Sequence, residues 1–301
     1  MKKSSLLALI MLAPVAAQSQ VKASLVAPDR SVQSGRPFTI ALRLEHQPSW
    51  HTYWISAGTG YPTSLMWDLP ASWSVGDIQW PVPKTIKDAQ GHVTGNGFDG
   101  ILELPVMVTP SAGLKAGEKV VLKAVAKYLM CSDVCIPGKD TLTLALPVLA
   151  NAPLPNDSVR AELAQMPMPR TLVGGTIAAV RFGKTVTLVL TKQGALGAPH
   201  FFSEDAFIQY DQPQIVATDN GRVSITLPVS QDAEVSTQKL VGVLAYTDAN
   251  GVYRGLRVDT PFSAPGVAGA DATSEGGQPS FSQPKSPRSL ASLASLASLH
   301  P

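Results

Sequence analysis

The 301-residue chain carries 24 Lys+Arg against 22 Asp+Glu, and without Lys2 and Lys3, which fall in an apparent leader, the balance is 22 against 22. Such neutrality excludes the basic footprint used on nucleic acid or on an anionic bilayer. The abundance of proline and glycine (25 and 24 residues) beside few long helical patterns points to an all-β chain.

Met1-Lys2-Lys3 is a basic start, residues 6–15 are apolar, and Val15-Ala16-Ala17 supplies small residues for cleavage. Together they predict a signal peptide over 1–17 and export, with a mature start near Gln18. No later run reaches the ~18 consecutive apolar residues of a membrane span, so the exported part is expected to be soluble.

Phe38, Ile40, Leu42 and Leu44 alternate with Thr39, Ala41, Arg43 and Glu45, the period of a half-buried strand. His51-Thr52-Tyr53-Trp54 suits another, followed by a turn-rich stretch over 56–62. Short strands are predicted over 65–69 and 73–78, while Trp80-Pro81-Val82-Pro83 is barred from a central strand by its prolines. Residues 84–100 read as a polar, glycine-rich functional loop. Strands resume over 101–108, 119–130 and 141–148, which makes residues 18–150 an immunoglobulin-like β-sandwich by size and rhythm.

A linker over 151–170 contains a short helix, capped by Asn156 or Asp157 and stopped after Met166 by Pro167 and Pro169. Alternation at Val186, Leu188 and Leu190, again at Val223, Ile225 and Leu227, and a hairpin signal at Asp248-Ala249-Asn250-Gly251 define a second, smaller β domain over 171–264. It has one histidine, His200, and no visible chemistry. Residues 265–301 are a low-complexity tail, expected to be disordered.

The two cysteines of the chain, Cys131 and Cys135, lie at the end of the 119–130 strand and just before Pro137-Gly138, read as a turn. In an oxidising compartment they can close a small ring. A ring this short removes little unfolded-state entropy, and accessible disulfides are the exchangeable ones; spacing alone leaves a structural staple and a redox pair both open. A Cu(I) site drawing on Met130, His51 or His92 lacks diagnostic spacing. A Cys131–His51–Asp133 hydrolase has no local support either.

The segments Trp50-His51-Thr52-Tyr53-Trp54, Gly60-Tyr61-Pro62-Thr63, Leu65-Met66-Trp67, Trp80-Pro81-Val82-Pro83 and Tyr128-Leu129-Met130-Cys131-Ser132-Asp133-Val134-Cys135-Ile136-Pro137-Gly138 resemble, in order, the periplasmic N-terminal part of the DsbD thiol:disulfide interchange family. The resemblance spans about 21–148 and is nearest the branch that includes the copper-sensitivity suppressor ScsB. It implies a periplasmic immunoglobulin-like domain without metal or organic cofactor. Its disulfide, Cys131–Cys135, would cycle with a dithiol, with Cys135 exchanging and Cys131 resolving. His51, Tyr53, Tyr128, Asp133 and Pro137 would surround the pair, and the 84–100 segment would cap it through Ile86 or His92. Implied partners are thioredoxin-like periplasmic proteins, disulfide isomerases or cytochrome-maturation thioredoxins, and a DsbD-type membrane electron donor. This chain is then a protein-disulfide reductase component without the membrane and thioredoxin-like domains, either a fragment or a soluble relay. The alternative is an exported β-sandwich interaction module with a structural disulfide.

Overall fold

A computed structural model of the chain describes residues 19–191 and 196–264; the expected leader and the expected tail lie outside the described residues. In chain order the elements are β1 (Val21–Val26), β2 (Phe38–His46), β3 (His51–Tyr53), β4 (Ser64–Asp68), β5 (Ser74–Ile78), β6 (Lys84–Lys87), β7 (Val93–Asp99), β8 (Ile101–Thr109), β9 (Lys119–Cys131), β10 (Cys135–Pro147), α1 (Asp157–Gln165), β11 (Thr176–Phe182), β12 (Thr185–Thr191), β13 (Gly197–Ser203), β14 (Ile215–Asp219), β15 (Arg222–Pro228), β16 (Lys239–Thr247) and β17 (Tyr253–Ser263). The all-β reading holds for the described residues, with one short helix.

The strands form three sheets, ordered β1-β2-β8-β5, then β10-β9-β3-β7-β6 with β4 also on β9, then β13-β16-β17-β11-β12-β15-β14. The first two make the immunoglobulin-like sandwich. Leu42, Leu44, Leu104 and Val106 from one sheet share a single buried cluster with Leu122, Ala124, Ala126 and Tyr128 from the other. Each such leucine, fully withdrawn from water, contributes about 1.5–3 kcal/mol. Alternation is imperfect in β2, where Ala41 is buried as well. Beside it Arg43 reaches both Glu103 on β8 and Glu162 on α1, tying the helix to this sheet.

The third sheet has its own core of Leu188, Leu190, Ile225, Leu227, Leu240 and Leu244. Phe202, Val243 and Ala245, however, belong to the sandwich cluster. The proline-rich stretch after β5 makes much of this joint. Val82 is buried against Gly255, where an added Cβ would stand 2.4 Å from its Cγ2. The Tyr253 hydroxyl donates to the Pro83 carbonyl at 2.6 Å.

Three local expectations need correction. Residues 84–100 are not a loop but the β6–β7 hairpin, turned at Asp88, whose carboxylate accepts from the Gln90 and His92 N–H groups. The small residues that suggested a loop serve the ladder instead: a Cβ at Gly97 would stand 2.1 Å from the Thr52 carbonyl oxygen of β3. Pro137-Gly138 is not a turn but part of β10, opposite Leu129 and Tyr128. Because β10 is an edge strand, the missing proline N–H costs no ladder bond to a further neighbour. Finally, Asn156 stands at the helix N-cap without a side-chain cap bond; its amide donates to the Ala27 carbonyl at 3.1 Å, fastening the linker to the sandwich.

Candidate functional site

β9 and β10 form a long antiparallel hairpin, 13 residues on each side, with Cys131 directly opposite Cys135 at its tip. Ser132, Asp133 and Val134 turn the chain, and the Ser132 N–H donates to the Val134 carbonyl at 3.1 Å. The two cysteines are joined in a disulfide with Cα atoms 4.1 Å apart. Their surroundings differ sharply. Cys131 is 1% exposed, whereas Cys135 is open to solvent beside the exposed Val134 and Ile136.

The asymmetry follows from sheet position. Cys135 begins an edge strand, while Cys131 lies between β10 and β3, with His51 as its register partner on the other side. On that face Tyr53, Ala57 and Cys131 form a small buried cluster, with Leu129 packed against it. His51 meets Tyr53 edge-on at 5.3 Å between ring centroids, and its Nε2 lies 3.4 Å from the tyrosine hydroxyl.

Both nearby histidines are held below the ordinary imidazole range. Burial is the main cause for His51, with His46 adding to it and Asp99 opposing. Burial also dominates at His46, against the Gly100 carbonyl and Asp99. The His46 ring bridges that carbonyl at 2.7 Å and the Thr52 hydroxyl at 2.9 Å. At neutral pH the imidazole of His51, across the ladder from Cys131, is therefore neutral rather than a fixed cation.

Of the expected surroundings, His51 and Tyr53 lie on the disulfide's face. Asp133 sits in the exposed tip and Pro137 on the exposed edge. Tyr128 lies on the opposite face of β9, 1% exposed in the sandwich core. Its hydroxyl donates to Asp140 at 2.6 Å, and burial followed by that carboxylate raises its pKa. Met130 shares this inward face.

The expected cap also lies elsewhere. β7 is level with the cysteines only at Asp99, the partner of His51. The hairpin tip lies beyond Val93, about 20 Å further along the strand. His92 is exposed there and pairs with Asp88 at 3.1 Å; Ile86 is buried within that hairpin. On the Cys131 face the small buried cluster is completed instead by Tyr53 and by Ala57 of the β3–β4 connection, in a stretch whose glycines read only as turn residues. Among the described residues no group of three or more His, Cys, Asp or Glu side chains is arranged to hold a metal, and no helix is long and apolar enough to cross a membrane.

Residues 22–147 match the family model described as "Thiol:disulfide interchange protein DsbD, N-terminal". No curated protein sequence matches the chain. Among solved structures, the N-terminal periplasmic domain of ScsB from Proteus mirabilis is similar at 21% identity and a TM-score of 0.57, covering 84% of this chain and 97% of that one; the two share a fold. A protein of unknown function from Porphyromonas gingivalis W83 aligns at 12% identity over 81% of this chain and 100% of its own, with a TM-score of only 0.23.

Proposed function

Because residues 22–147 match the model of the DsbD N-terminal thiol:disulfide interchange domain, we propose that this chain relays electrons in the periplasm through Cys131 and Cys135, exchanging with thioredoxin-like partners. The observation that carries the reading is the unequal exposure of two bonded sulfurs at one hairpin tip. A partner thiolate attacks the Cys135 sulfur, the Cys131–Cys135 bond breaks, and Cys131 leaves as the thiolate. The partner's second thiol then attacks its own sulfur in the mixed disulfide and releases Cys135. The partner is oxidised, and two electrons with two protons reside on the cysteine pair. Run in reverse against an oxidised acceptor such as a disulfide isomerase, the same steps pass them on.

No metal or organic cofactor enters this scheme, and the electrons come from a DsbD-type membrane donor. Neutral histidines give the thiols no strong electrostatic activation, so docking rather than unusual cysteine reactivity sets partner choice. The exposed apolar Val134 and Ile136 at the tip support such a docking surface.

The test is covalent trapping in periplasmic extract. Cys131→Ser leaves Cys135 without its resolving thiol and is expected to hold a thioredoxin-like protein in a linkage released by reductant. A blank from this variant and from Cys135→Ser would overturn the relay.

A further inference from the structure

The β3–β4 connection, whose Ala57 shares the small buried cluster with Tyr53 and Cys131, is held from two sides. From β7, the Asn96 N–H donates to the Ala57 carbonyl at 2.8 Å and its side-chain amide donates to the Ser56 carbonyl at 3.2 Å. Thr59 donates its hydroxyl to the Thr94 carbonyl. Two glycines in the connection adopt the left-handed region, and each approaches an aromatic ring more closely than any side chain allows. At Gly60 (φ 71) an added Cβ would stand 2.7 Å from Cε2 of Tyr53, the ring beside Cys131. At Gly58 (φ 78) it would stand 2.5, 2.6 and 2.7 Å from Cγ, Cδ2 and Cδ1 of Tyr210.

Tyr210 comes from the third sheet, in the segment between β13 and β14. Its base is firm: Phe207 and Ile208 are buried, Ile208 bridges to Val229, and the Gln209 N–H donates to the Pro228 carbonyl at 2.8 Å. The joint around it is otherwise loosely filled. A cavity of about 530 Å³ lies between Ser56, Gly58 and Asn96 on one side and His200, Phe202 and Tyr210 on the other. The Tyr210 ring spans the edge of that space to reach the connection.

We propose that Tyr210 is a positioning residue for thiol exchange: its ring, planted on Gly58, clamps the connection over Cys131 so that an incoming thiolate meets Cys135 alone. The purpose of the clamp rests on the exchange reading above. Attack at the Cys131 sulfur would expel Cys135 as the leaving thiolate and bury the mixed disulfide under the connection, out of reach of the partner's second thiol. Attack at Cys135 leaves it at the open edge. The third sheet thus selects which sulfur reacts.

The test needs no partner. The full chain is reduced with dithiothreitol, exchanged into buffer and treated with iodoacetamide, and adducts on each cysteine are followed by mass. In the parent chain Cys135 is expected to label fast and Cys131 slowly. Tyr210→Ala is expected to speed Cys131 about tenfold, which corresponds to a cover opened by ~1.4 kcal/mol, with the Cys135 rate unchanged. Tyr210→Phe, which keeps the ring, is expected to behave as the parent. An unchanged Cys131 rate in Tyr210→Ala, or an equal rise at both cysteines, overturns the clamp. If Tyr210→Ala does not fold, Tyr210→Leu is read against the same outcomes. A faster Cys131 beside a blank trapping experiment would keep the clamp and remove the relay; the converse would do the opposite.

Discussion

Tyr128 and Gly138 are register partners in the β9–β10 ladder, and the tyrosine ring lies across the glycine so closely that a Cβ there would stand 2.3 Å from Cε2. The ring cannot retreat, because Tyr128 is fully buried and its hydroxyl is held by Asp140. Gly138→Ala is therefore an overpacking change and is expected to cost about 1–3 kcal/mol, read as a lower urea midpoint. An unchanged midpoint would mean that the ring has somewhere else to go.

The disulfide at the tip of that hairpin contributes little to its stability. For a ring of this size, the chain-entropy relation gives only ~2 kcal/mol, and the long ladder beneath it already holds the strands. Cys131→Ser with Cys135→Ser is expected to lose no more than that in chemical denaturation and to keep its circular dichroism. A loss of about 4 kcal/mol or more, the scale for a bridge closing a long loop, would favour the structural staple.

Glu103 has a fully buried side chain whose Oε2 lacks a partner. Burial raises its pKa while Arg43 lowers it. Arg43→Met is expected to cost about 3–5 kcal/mol, because it leaves an unpaired buried carboxylate, whereas adding Glu103→Leu should recover most of the loss. Denaturant midpoints of the single and double variants decide this. An additive double variant would show the ion pair to be idle.

His200 sits against Phe202 at 4.6 Å between ring centroids. Burial, assisted by Lys87, pushes its pKa down to about 4. The unfolded histidine takes up a proton near its ordinary value, about 6.5, which the folded one refuses until the lower pKa. Stability should therefore fall as pH drops from that upper value to the lower one and level off beneath it, by about 3 kcal/mol from this residue. His46 and His51 are depressed in the same direction, so His200→Gln is expected to reduce the slope without abolishing it. Denaturation at neutral and acid pH tests this, and an identical slope in the variant would refute it.

Much of the fold was legible in the sequence. Period-2 alternation identified β2, β12 and β15, because a strand with one face in a core writes that face into every second residue. Proline kept 80–83 out of the ladders for want of N–H donors. The cysteine pair, with the motifs around it, pointed to thiol exchange through the family it resembles.

Tertiary structure decided what covers each face. Tyr128 and Cys131 are three residues apart and so on opposite sides of β9, but only the sandwich makes one side a core and the other a site. The β6–β7 hairpin was hidden because its glycines, placed for close approach of β3, look like loop residues when that strand is out of view. Tyr210 and Gly58 meet across more than 150 positions of chain, and nothing local to either residue records the other. Short-range periodicity reports which residues share a face; the contact on that face depends on where distant strands come to rest.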